Sequence, residues 1–237
     1  MNNQQFLQLV ASSFVRFLET SARSNEKLKV LHGKVAHDIS DKLGEHYSIK
    51  SLGINDNKEG TLDGRYVDKK VDILISKNTE DIAGIGLKFV MNNYSQNSNN
   101  YFENMLGETA NIRANNKKYF QILIIPEEMP YYDNKGNIQK WEKITNHNVD
   151  KYIILSRDNV DIYLHTPIKT LLFLIKLPEC NKDEIKTRAQ YTEYYLNRRT
   201  DMPIQVSSSI AGEFGEAIIL NDYETFISKV VHYLMSI

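Results

Sequence analysis

The stretch KKVDILISKNTEDIAGIGLKFV, residues 69–90, decides how this chain is read. Its first part alternates, with Val71, Ile73 and Ile75 on one face and Lys70, Asp72 and Leu74 on the other, which is the period of a strand. KNTED (77–81) reads as a turn and AGIGLKFV (83–90) as a second strand, so the spacing predicts a hairpin. Two residues are out of place in it. Asp72 stands among β-branched residues although Asp is a poor strand former. Lys88 interrupts an apolar run, where an ammonium is costly unless it is used or reaches water. Gly86 and Lys88 share a face, while Ile85, Leu87 and Phe89 share the other. Pairing the two strands lets Asp72 and Lys88 point to the same side.

An acid that holds a metal and a lysine beside a water or a phosphate form a hydrolytic pair. The metal polarises a phosphoryl oxygen and the ammonium stabilises charge that grows in the transition state. The plainer reading of the same two residues is a structural ion pair, or a lysine that snorkels at a strand edge.

Around this hairpin the chain alternates helices and strands. Residues 3–23 place Phe6, Leu7, Val10, Phe14, Phe17 and Leu18 at helical spacing, and 26–44 do so with Leu28, Leu31, Val35, Ile39 and Leu43 before a C-cap at Gly44. After an Asn-rich bridge, 100–114 read as a helix with Phe102, Met105, Leu106, Thr109 and Ile112 inward. YFQILIIP (119–126) is apolar throughout, the mark of a buried parallel strand. Residues 127–143 read as a long loop with DNKG turn chemistry. KYIILS (151–156) and VDIYLH (160–165) read as short strands, and IKTLLFLIKL (168–177) fits helix or strand. Residues 182–198 read as a helix, EAIILN (216–221) as a late strand and 222–236 as a closing amphipathic helix. The expectation is one α/β (α+β) domain over 1–237, a central mixed sheet flanked by helices.

The bulk properties narrow the function. A net charge of −1 over 237 residues means that any polyanion site is a local basic patch. A lone cysteine, Cys180, excludes a disulfide framework and cysteine-rich metal centres within one chain. MNNQQFLQLV lacks the basic start of a signal peptide, and the longest apolar run, LLFLI (171–175), is too short to cross a bilayer. These features point to the cytosol, most simply of a prokaryote, with no membrane partner. GIG (84–86) lacks the rest of a dinucleotide or P-loop pattern, and no G-x-S-x-G elbow is present. His32 and His37 are five apart and so do not make an i, i+4 metal pair, and His165 reads as structural.

The order of helix, Asp-bearing strand, Lys-bearing strand, helix and buried strand, over about 26–126, resembles the core of the PD-(D/E)XK nucleases. It is closest in kind to their type II restriction endonucleases. VDILI and GIGLKFV match the two active-site strands, with Asp72 and Lys88 in the matching places. The resemblance implies a restriction-endonuclease-like core and site-specific, Mg²⁺-dependent hydrolysis of duplex DNA, with Mn²⁺ as a substitute. It also implies a homodimer on a palindromic target. Residues 150–237 would complete the sheet and add DNA contacts.

This chain departs from that pattern at Gly86, where the family has its second acid. Some of the family take that acid from the following helix, which here carries Glu103 and Glu108. Five residues turn a helix about 140° past a full circle, so the two cannot face one site. Glu108 lies beside Ile112 and Tyr101 at the rim of the apolar stripe, and GETANIR resembles the acid-bearing helix of those variants, so Glu108 is preferred and Glu103 is the alternative. Glu59, on the approach to Asp72, and Glu45, at the end of the second helix, are further candidates.

MNNYSQNSNN (91–100) offers Asn92, Asn93, Tyr94, Gln96, Asn97 and Asn99 next to Lys88, groups that can bond adenine or phosphate. A polar loop capping the next helix is the plain alternative. Arg113, Lys117 and Lys118 complement a helix C-terminus. Arg188, Arg198 and Arg199, interleaved with Tyr191, Tyr194 and Tyr195, suit DNA contacts or equally a solvated helix with its tyrosines on the core. Two other functions fit the same residues: a structure-specific or repair nuclease of this fold, and a non-catalytic DNA- or partner-binding protein on a decayed nuclease scaffold.

Overall fold

A computed structural model describes residues 1–20, 26–54, 58–200 and 202–237, with side chains except at 26–28. The expected helical residues 21–23, the side chain of Leu28 and positions 55–57 of the polar approach lie outside the described residues. Two helices open the chain, α1 (Asn3–Glu19) and α2 (Glu26–Leu43). A capping box of Asn2 and Gln5 starts α1, and α2 stops at Gly44, whose φ of +83° favours glycine. Then come β1 (Tyr47–Ser51), β2 (Gly60–Leu62), β3 (Lys69–Val71), β4 (Ile73–Lys77), β5 (Glu80–Phe89), α3 (Tyr94–Arg113) and β6 (Lys118–Pro126). The second half holds β7 (Glu128–Tyr132), β8 (Ile138–Lys143), α4 (Asn146–Ser156), β9 (Thr170–Lys176), α5 (Arg188–Leu196), β10 (Gln205–Val206), β11 (Ile218–Leu220) and α6 (Tyr223–Met235).

Among the described residues seven strands form one mixed sheet, ordered β1-β4-β5-β6-β9-β10 with β11 beside β9. β1, β4 and β5 are an antiparallel meander, and β6 and β9 run parallel to β5. A parallel neighbour needs a crossover, which α3 supplies between β5 and β6. β6 and β9 are apolar on both faces because both are covered. Ile122, Ile124, Leu171 and Phe173 share a core with α1, α2 and α6, while Leu123, Ile125, Leu172 and Leu174 share one with α3 and α4. The chain is thus α/β, with a mixed sheet between helical layers. No described helix is long and apolar enough to cross a membrane.

Four expectations need correction. KYIILS belongs to helix α4: Val149, Tyr152 and Leu155 are buried at threes, and a capping box of Thr145 and Asn148 starts the helix. Helical periodicity and capping override the β-branched pair Ile153–Ile154 there. VDIYLH is not a strand. It forms turns whose carbonyls at Val160 and Tyr163 accept hydrogen bonds from the Arg113 guanidinium. The long loop at 127–143 is the hairpin β7–β8, with Asp133 accepting the Lys135 and Asn137 N–H groups at its tip. Finally, α3 begins at Tyr94, so most of the Asn-rich bridge is helix. The segment at 168–177, open between helix and strand, is β9.

Candidate active site

The expected strand 69–76 is broken at Asp72. β4 pairs with β5 from Ile73↔Ile85 onward, whereas β3 turns away to pair with β2. Residues 86–89 of β5 therefore have β6 on one side and no described strand on the other. Asp72 fills that opening. Its Oδ2 accepts the Leu87 N–H at 2.6 Å, taking the place of a ladder carbonyl, and its own carbonyl accepts from Ser51 Oγ at 2.7 Å. Burial pushes the Asp72 carboxyl up to about 6. The Leu87 N–H pulls it down, the Glu108 carboxylate pushes it up and Lys88 pulls it down.

Lys88 is exposed, and its Nζ lies 4.6 Å from the centre of the Tyr101 ring on α3. The ammonium therefore reaches water at the mouth of the opening. Asp72, Lys88 and Glu108 line one recess of about 220 Å³, together with Lys70, Tyr119 and Gln121. Glu108 Oε1 accepts from Lys69 Nζ at 2.6 Å, and the Tyr119 hydroxyl donates to Gln121 Oε1 at 3.4 Å. One turn along α3, Asn111 fixes the loop that leads to these lysines. Its Oδ1 accepts the Tyr66 N–H at 2.9 Å and its Nδ2 donates to the Val67 carbonyl at 2.7 Å.

The floor of the recess explains Gly86. β5 and β6 pair with Gly86 opposite Gln121. A Cβ at Gly86 would overlap the Tyr119 hydroxyl and stand 2.7 Å from Gln121 Oε1. A side chain at this position, acidic or otherwise, would require Tyr119 and Gln121 to move. The volume an acid would occupy there is filled from β6.

On its other side Asp72 meets α2. His32 is 1% exposed, its Nδ1 is 3.7 Å from Asp72 Oδ1, and neither ring nitrogen has a hydrogen-bond partner among the described residues. Burial pulls its pKa down to about 4, against a smaller upward pull from Glu59, so the ring is neutral at pH 7 and the contact is not an ion pair. Close backbone packing sets this contact. A Cβ at Gly33 would stand 2.7 Å from the Gly53 carbonyl oxygen, so α2 lies tightly on the turn after β1. Glu59, half-buried, completes a group in which one ligand atom each from His32, Glu59 and Asp72 lies within 4.8 Å of the others. Sequence reasoning set His32 aside. The available signal was its place next to Leu31 and three before Val35, in a core-facing row.

Comparison with known proteins adds no relative. No family model, no curated protein and no solved structure matches this chain. Its site is defined by its own geometry alone.

The other expected residues are scattered around this centre. Glu103 is exposed and acts on Lys151 of α4, outside the recess, and Glu45 is exposed in the turn after α2. Asn92 lines the His32 side of the opening. Asn93 is structural: its amide brackets Tyr132 of β7, accepting the N–H at 2.9 Å and donating to the carbonyl at 3.0 Å. Tyr94 belongs to the core at 2% exposure, which corrects its expected place on a DNA-facing surface. Asn97 donates to the Asn93 carbonyl, Asn99 accepts from Lys151 and Gln96 accepts from Asn93. The N-terminus of α3 is capped by Glu142 of β8 through Ser95. Tyr191 and Tyr195 are buried, while Arg188 stacks on Tyr132 at 4.6 Å, Arg198 on Tyr194 at 3.8 Å, and Arg199 lies 3.9 Å from Glu19. Asn93 and Arg188 thus meet on opposite parts of Tyr132, which ties α5 to the start of α3.

Proposed function

We propose that this protein is a Mg²⁺-dependent endonuclease of duplex DNA on a restriction-endonuclease-like core. The supporting order is helix α2, meander β1–β4–β5, crossover α3 and parallel strand β6. The observation that carries the reading is the convergence of Asp72, Lys88 and Glu108 on one recess whose floor, at Gly86, is occupied by Tyr119 and Gln121 of β6. The donors suit a hard divalent cation: two carboxylates, one held high by burial, with Asp72 Oδ1 beyond hydrogen-bond length of His32. Mg²⁺ held by Asp72 and Glu108, or Mn²⁺ in its place, would polarise a phosphoryl oxygen and supply hydroxide at neutral pH.

The chain's own residues do the rest. Lys88 holds the water oxygen or a non-bridging oxygen and offsets the charge that builds as water bonds to phosphorus and the opposite P–O bond breaks. Tyr101 beneath the ammonium and Lys69 against Glu108 keep both groups in place. Lys70 adds positive charge at the wall where a phosphate backbone would enter. Asn92 flanks the mouth, and Gln96, Asn97, Asn99, Arg188, Arg198 and Arg199 would offer further donors to DNA. A palindromic target would be met by a two-fold homodimer, and a restriction role would place the protein in the cytosol of a prokaryote.

Incubation with supercoiled plasmid tests this reading. Mg²⁺ should yield discrete fragments with sequenced, identical ends, and EDTA should abolish them. Nicks at random positions or at branched structures would point to a repair-type nuclease. Intact DNA in both Mg²⁺ and Mn²⁺ would overturn the proposal.

A further inference from the structure

We propose that His32, Glu59 and Asp72 form a second cation site, sharing Asp72 with the first, that selects a transition ion, Mn²⁺ or Zn²⁺, over Mg²⁺ and Ca²⁺. The first ground is an orphaned group. His32 is 1% exposed and both ring nitrogens lack partners among the described residues, although a buried imidazole almost always engages at least one of them. The second is where that ring points. Its Nδ1 faces Asp72 Oδ1 at 3.7 Å, too long for a hydrogen bond and a reasonable span for two atoms that share an ion. The third is the division of labour on Asp72. Oδ2 is committed to the Leu87 N–H, so the carboxylate is locked with Oδ1 turned to His32. Glu59 brings a second carboxylate, with all three donor atoms within 4.8 Å of one another.

One neutral nitrogen and two carboxylate oxygens are a mixed donor set. Imidazole ligation favours transition ions over Mg²⁺ and Ca²⁺, which prefer oxygen alone. Space for the ion and its waters lies alongside. A cavity of about 370 Å³ reaches from His32 and Asp72 to Lys88, walled by Leu31 and Phe17. Asp72 is common to this site and to the proposed hydrolytic centre, but the site stands on its own geometry and does not require that DNA be cut.

The test uses Mn²⁺ as probe on the full chain stripped with EDTA. Loss of the free-ion EPR signal gives affinity, and electron spin-echo modulation reports a directly bound ¹⁴N. The expected result is nitrogen coupling in the wild type, with Mn²⁺ held about tenfold or more tightly than Mg²⁺ in competition. Glu59→Gln, at a half-buried position that should fold, lowers Mn²⁺ affinity by about tenfold or more. His32→Gln abolishes the coupling, while Glu108→Gln keeps it. A wild type without nitrogen coupling, equal competition by Mg²⁺, or an unchanged affinity in Glu59→Gln overturns the site. Plasmid cleavage is scored apart. Nitrogen-coupled Mn²⁺ with uncut DNA refutes the nuclease reading alone, and cut DNA without the coupling refutes this site alone.

Discussion

Two recesses meet at Asp72, and they are built from opposite kinds of residue. The α2 side sets Leu31 and Phe17 around a fully buried, neutral His32 and runs on to Lys88 at its mouth. The α3 side is polar and cationic, with Lys70 and the exposed Lys88 around Glu108, Tyr119 and Gln121. One carboxylate therefore sees a neutral nitrogen on one flank and Lys70 on the other, with Lys88 between them. On the proposed reading, the contrast divides one aspartate between ion capture and the hydrolytic centre. It also shows why Asp72 is kept against local propensity: the strand is broken so that its side chain, rather than a ladder carbonyl, faces both recesses.

Removing the shared group should have the largest effect. Asp72→Asn keeps the shape and the hydrogen bond position but should lower cleavage by about 10³-fold or more, measured under single turnover. Lys88→Ala removes the ammonium at the mouth and leaves His32, Glu59 and Asp72 in place. It should cost about 10²-fold in cleavage and leave chemical stability against urea close to wild type, because the side chain is exposed. Equal losses in both flanks' binding and cutting from Lys88→Ala would erase the distinction between them.

The floor between β5 and β6 gives a stability effect instead. Gly86→Ala should destabilise the fold by about 1–3 kcal/mol in urea titration, since Tyr119 and Gln121 must shift. A neutral substitution would mean that position 86 is open, and that an acid could have stood there.

The two flanks also titrate in opposite senses. Asp72 holds its proton more tightly folded than unfolded, about 6 against 3.8, so its contribution weakens the fold as pH rises through that window. His32 holds its proton less tightly folded, about 4 against 6.5, so its contribution weakens the fold as pH falls through that window. Each contribution is about 3 kcal/mol when fully developed. In EDTA, Asp72→Asn should gain stability relative to wild type as pH rises from about 4 to 6. His32→Gln should gain relative to wild type as pH falls from about 6.5 to 4. Urea midpoints across pH check this, and parallel curves for all three proteins would contradict it.

Much of this was legible in the sequence where burial imposes a period. The hairpin, the doubly covered β6 and the separation of Glu108 from Glu103 all follow from residues per turn or per pleat. What escaped depends on contacts between distant segments. The orphaned His32 has meaning only once Gly33 packs on Gly53 and brings α2 against Asp72. Asn93 looks like a DNA-facing amide until it is seen bracketing Tyr132, thirty-nine residues on. KYIILS is β-branched enough to imitate a strand, and only the capping box and the buried row at threes make it α4. The closure of position 86 could not be read from β5 at all, because the atoms that close it belong to β6.

The central claim is that the second acid comes from Glu108 because position 86 is filled. Single-turnover cleavage by Glu108→Gln and Glu103→Gln, side by side at saturating Mg²⁺, tests it most directly. Glu108→Gln should cut about 10²-fold or more slowly than wild type while Glu103→Gln cuts at the wild-type rate. Wild-type cutting by Glu108→Gln, or an equal loss in Glu103→Gln, would contradict it.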